Sequence, residues 1–156
     1  MQSSNARKSS LPRALALGGL VCLTVAACDI HDNNIQGTLN IDDVNLGLDF
    51  DGSFDRDAVK PGDSIPIVIH SENMFPIAPG DTPPADKIAA AGHFQIYLDG
   101  TDHAPLLITA EATVNITIPQ QTAPGPHKLI CRAHHHDGTP TSVSVEIAFT
   151  ITATAA

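Results

Sequence analysis

Eight histidines mark this chain, at positions 31, 70, 93, 103, 127, 134, 135 and 136. Imidazole is the commonest protein metal ligand and titrates near neutral pH, so spacing decides what these side chains can do. His134 and His136 lie two apart. On an extended strand their Cα atoms fall roughly 6.5–7 Å apart on one face, which lets both rings reach a single Zn²⁺ or Cu²⁺ ion. His93 is the expected third nitrogen and His70 a fourth, with Asp137 or Glu72 near enough to fix a tautomer or complete the shell. The plain alternative is a solvated histidine-rich turn. A second constellation is acidic: Asp49, Asp51, Asp55 and Asp57 surround Gly52. It lacks the glycine and terminal glutamate spacing of an EF-hand, and reads better as a solvated turn than as a calcium loop. There is no Gly-x-Ser-x-Gly, no His-Glu-x-x-His and no phosphate loop, so no catalytic site is expected.

The elements that must hold these residues are strands. Apolar residues alternate with polar ones at Val44–Phe50, Ile65–Ile69, Phe94–Leu98, Val114–Ile118 and, most regularly, Val143–Ile151. After residue 28 no segment keeps a helical period. Turn chemistry separates the runs at Pro61-Gly62-Asp63, Asp99-Gly100, Pro124-Gly125 and Asp137-Gly138. About seven short strands predict an all-β fold, an antiparallel Ig-like β-sandwich. In immunoglobulin lettering, strand B lies near 64–70, C near 93–99, E near 112–118, F near 127–135 and G near 142–152. Pro66 lacks the amide of a central strand and predicts a bulge or a ragged start there. The stretch 71–92 carries four prolines and predicts a long loop with at most one helical turn near Ala85–Ala91.

This topology sorts the histidines. C and F are antiparallel neighbours, so His70, His93 and His134–His136 are expected at one pole, with His93, His134 and His136 facing outward. His103 and His127 map to the opposite pole. His127 stands where many such domains place a tyrosine that bonds back to the preceding corner. Cys131 alternates inward between Leu129 and Ala133, as a buried structural thiol.

Gly92-His93-Phe94-Gln95-Ile96-Tyr97-Leu98-Asp99, followed by Pro124-Gly125-Pro126-His127, resembles small exported bacterial lipoproteins with an Ig-like or fibronectin-III-like sandwich. In that family a Gly-His-x-His-x-Tyr-x-Asp strand precedes a Pro-Gly-x-His strand. The likeness runs over about residues 61–155 and implies the fold; it assigns no activity. Gln95 stands where the pattern has its second histidine.

The N-terminus reads as an address. Arg7, Lys8 and Arg13 precede an apolar run, Ala14–Ala27, too short for a comfortable membrane span. Val25-Ala26-Ala27-Cys28 resembles the lipobox of bacterial lipoproteins, which implies cleavage before Cys28 and acylation of its thiol, palmitate included. Cys22 then leaves with the signal and Cys131 is left alone, so no disulfide framework forms. The expected domains are a signal over 1–27, a lipidated tether over 28–36 and a sandwich over 37–156. From residue 28 onward, 5 basic residues face 17 acidic ones, a formal charge of −12. That charge excludes a nucleic-acid partner and a polybasic lipid contact. The expectation is a non-catalytic, lipid-anchored binding or structural module of the cell envelope, held to the inner or outer membrane through Cys28 and facing an envelope protein partner. The alternative is a periplasmic copper or zinc binder using His93, His134, His136 and His70.

Overall fold

The computed structural model of the chain describes residues 40–153. The expected signal, tether and lipidated Cys28, like His31, lie outside the described residues. The chain divides into Met1–Gly37 and Thr38–Ala156, and everything below belongs to the second unit.

The fold is all-β and sandwich-like, with two sheets. A 3-10 turn, Ile41–Asp43, leads into β1 (Asn45–Phe50), and then follow β2 (Ser64–Glu72), β3 (Phe75–Pro76) and a second 3-10 turn, Ile88–Ala90. β4 (Ala91–Leu98), β5 (Leu107–Thr109), β6 (Thr113–Thr117), β7 (Gly125–His135) and β8 (Pro140–Ile151) complete the chain. The smaller sheet has the order β1-β2-β6 and the larger β3-β4-β7-β8, with β5 also paired to β4. All strand pairs are antiparallel except β3 with β4.

The period-two pattern does what its physics requires. Leu46 and Leu48 of β1, Ile65, Ile67 and Ile69 of β2, and Ile116 of β6 form one inner face. Phe94 and Ile96 of β4, Leu129, Cys131 and Ala133 of β7, and Phe149 and Ile151 of β8 form the other, in one cluster. Each Ile or Leu buried there contributes about 1.5–3 kcal/mol.

The strands number eight. β3 and β5, which are not among the strands read from the sequence, are short pieces on the free edge of β4, a side the alternation pattern cannot reveal because so few residues are involved. The stretch expected as one long loop is partly ordered: β2 runs to Glu72, Asn73 turns with a left-handed φ of 62°, and the Ile77 amide donates to the Gly92 carbonyl at 2.8 Å. Pro66 causes no bulge. Its carbonyl accepts from Asp51 just past the end of β1, so the missing amide faces a position where the ladder has already ended. The irregularity falls instead between β7 and β8, at Arg132–His134.

Gly92 is required where it stands. A Cβ at this position would overlap the His134 carbonyl oxygen and the Ile41 side chain, so only glycine lets β4, β7 and the first 3-10 turn meet.

Candidate functional site

Register brings two of the expected site histidines together. His93 and His134 are directly opposite on β4 and β7, with ring centroids 5.7 Å apart and nearly parallel planes. Both lie on the sheet face away from the core, as alternation predicts, yet they are not open to solvent: His93 is 3% exposed and His134 5%. β3 runs beside β4 at Ala91 and Gly92 while His134 stacks from the other side, which leaves His93 little access to water.

The same face carries Gln95 and Tyr97, and the four side chains form a chain of hydrogen bonds. The Gly138 carbonyl can only accept, so His134 Nδ1 donates to it, at 3.1 Å. His134 Nε2 is then an acceptor facing the Tyr97 hydroxyl at 3.4 Å. That hydroxyl donates to Gln95 Oε1 at 2.7 Å, and Gln95 Nε2 donates to His93 Nε2 at 3.3 Å. The proton of neutral His93 therefore sits on Nδ1. Among the described residues this atom is buried without any partner. Burial, and secondarily the charge of His134, holds His93 below its ordinary pKa. Burial also lowers His134; the bond to Gly138 opposes this, and the charges of Arg132 and His135 reinforce it.

The other two expected ligands are elsewhere. His70 lies on β2, in the smaller sheet, opposite Gly47 and 3.3 Å from Asp49 Oδ2. It cannot share an ion with His93, because the core stands between the two outer faces. His136 is beyond the end of β7: its amide donates to the Ala91 carbonyl as the hairpin turns, so the two-residue strand spacing with His134 no longer applies. Among the described residues no group of three His, Cys, Asp or Glu is placed to hold a metal ion. Of the four expected ligands, only His93 and His134 are placed side by side.

His135 and His136 instead line a cleft of about 420 Å³. Ile88 and Ala89 of the second 3-10 turn form its apolar wall, while Asn40, Asp137 and Thr139 add polar groups. Ile88 is 48% exposed, and His135 Nε2 lies 3.5 Å from Asp42 Oδ1. The Thr139 amide and hydroxyl both donate to Asp137 Oδ1, at 2.9 and 2.7 Å, and these bonds, the backbone one first, keep that carboxyl below its usual range. The cleft falls within the size range of small-ligand sites, about 300–1,000 Å³. No family model matches the chain, and no curated protein does.

Two further residues of β7, His127 near its start and Cys131 in its middle, sit as the sequence predicts. His127 bonds the Ala123 carbonyl through Nε2 and Asp99 Oδ2 through Nδ1, both at 2.8 Å. Cys131 is fully buried, and desolvation pushes its thiol up to about 12. His103 packs edge-on against Tyr97. Gln95 and Tyr97 were legible as partners of His93, since positions two and four further along a strand share its face. Asn40, Ile88 and Thr139 were not, because their meeting depends on three distant segments.

Proposed function

We propose that the chain is a lipid-anchored, envelope-facing binding module of Ig-like architecture, performing no catalysis, with the His135–His136 cleft as its binding site. The cleft carries this reading: it is assembled from three separate segments and combines an exposed apolar wall with convergent polar groups. The Ig-like assignment is supported by β1, β2 and β6 lying against β4, β7 and β8, by the parallel bridge of Val59 to Ile151, and by the His127 corner bond. The anchor rests on the sequence around Cys28. From there to Asn40 the chain reaches at most about 40 Å, so the domain works close to the bilayer.

The test combines two measurements on the full chain expressed in a diderm bacterium. A clickable palmitate analogue is expected to label the protein and its membrane partition to be lost in Cys28→Ala. A photo-cross-linking residue at Ile88 is expected to give a discrete adduct that the same residue at Ile108, 44% exposed on β5, does not. Labelling that survives Cys28→Ala would remove the anchor, and equal cross-linking from both positions would remove the cleft as the binding site.

A further inference from the structure

We propose that the stacked His93–His134 pair is an acid-sensitive latch that holds the cleft in shape. The inference rests on the cleft being the binding site and adds how that site is regulated. Its physical link is a single bond: His134 Nδ1 donates to the carbonyl of Gly138, and the hairpin containing Gly138 supplies His136, Asp137 and Thr139 to the cleft.

The hydrogen-bond chain as it stands fits two neutral rings. If His93 gains a proton, its Nε2–H points at the Gln95 amide N–H, two donors face to face. The Gln95 amide must rotate so that Oε1 accepts from His93 and Nε2 donates to the Tyr97 oxygen. The Tyr97 hydroxyl proton then turns to His134 Nε2, which has to be neutral to accept it. One proton is therefore tolerated after this rearrangement. A second leaves two imidazolium rings stacked at 5.7 Å, a Tyr97 hydroxyl without an acceptor and the buried His93 Nδ1–H still unpartnered.

The surroundings supply no compensating negative charge. On β4 the neighbours are uncharged Gln95 and Tyr97, and beyond Tyr97 lies His103, already paired with Asp102. β7 contributes Arg132 and His135, both of which oppose a charge on His134. At the start of β8 Thr141 is neutral, and further along Glu146 is paired with Lys128. In the hairpin Asp137 is taken up by Thr139; in the first 3-10 turn Asp42 faces His135; and Lys87, before the second turn, pairs with Asp86. Both rings are held below their ordinary 6.5 in the folded protein. Their neutral forms thus stabilise the fold fully above pH 6.5, and that contribution is lost as pH falls below it.

Repulsion is relieved where the structure is least tied. His93 is fixed between β3 and β7, whereas His134 lies at the β7–β8 irregularity, immediately before the hairpin. Acidification therefore moves His134 and the hairpin, and the cleft loses one wall.

Hydrogen exchange on the full chain in detergent, corrected for intrinsic rates, reads this without any ligand. Between pH 7.5 and 5.0 the amides of His135, His136 and Gly138 are expected to open at least tenfold more often, while the β1-β2-β6 amides change less than twofold. His93→Phe keeps a stacked ring that cannot charge, and should abolish most of the acid response. Should that variant not fold, the imidazole titrations of the unaltered protein decide, with both rings expected below 6.5. Equal hairpin protection at the two pH values, an unchanged response in His93→Phe, or either ring titrating at or above 6.5 overturns the latch. Cross-linking from Ile88 at pH 7.5 tests the binding reading separately, so the two fail independently.

Discussion

Replacing His127 probes how far a single corner bond holds the far end of the sandwich. The ring is 13% exposed, bonds Asp99 and Ala123 at 2.8 Å each, and packs near Phe149. Losing both bonds and the ring's packing predicts about 2–4 kcal/mol for His127→Ala. The loss has a definite pH sign. Burial lowers the His127 pKa, but the bonds to Asp99 and Ala123 outweigh it and the net shift is upward. The stabilisation from the charged ring is therefore fully present below pH 6.5 and is lost as pH rises through the folded value. Asp99 is 49% exposed, so solvent screening limits this pH-dependent share to about 1 kcal/mol or less. Urea unfolding of wild type and variant at pH 6.0 and 8.5 measures it, and the difference cancels contributions from His93 and His134. His127→Tyr, which restores a corner hydroxyl without a titrating group, should cost less than His127→Ala and leave a difference from wild type that is larger at pH 6.0. An Ala penalty at pH 8.5 equal to or above that at pH 6.0 would refute the charged-ring argument.

Gly92→Ala should cost about 1–3 kcal/mol by forcing β4 away from β7, seen as a lower urea midpoint. Ile67→Ala, in the middle of the core, should cost about 2–5 kcal/mol on the same scale. The Cys131 thiol should resist a disulfide reagent in the folded protein and react only as urea unfolds the chain; prompt reaction in native buffer would place the side chain outside the core. Calorimetric titration with Cu²⁺ and then Zn²⁺ should show no one-to-one submicromolar site, because His70 and His136 lie apart from the His93–His134 pair. Such a site, lost in His134→Ala/His136→Ala, would mean that these histidines gather in solution after all.

Alternation made the main strands legible, because a half-buried strand writes its inner face into every second residue, as Leu129, Cys131 and Ala133 do. It also put His93 and His134 on one outward face once β4 and β7 were taken as neighbours, while the register that sets them opposite each other came only with the structure. Burial of that pair was hidden, since outward-facing positions look alike in sequence whether a short edge strand such as β3 covers them or not. The placing of His136 failed for a local reason: β7 ends at His135, and a spacing that holds on a strand does not extend into a turn. His70 failed for a global one, since the end of β2 sits on the opposite layer. The cleft had no sequence signal, because Asn40, Ile88 and Thr139 carry no shared pattern.

The bridge between Val59 and Ile151, reinforced by the Thr152 amide bonding the Val59 carbonyl, ties an early segment to the final strand. Contacts of such long sequence separation are made late and slowly, with folding times of milliseconds to seconds for comparable β topologies. Until β8 has been synthesised, β7 can pair only with β4 and its other side is left open. The larger sheet is therefore incomplete until the last strand is made, and a truncation that removes Phe149–Ile151, taking Phe149 and Ile151 out of the core, should leave it so.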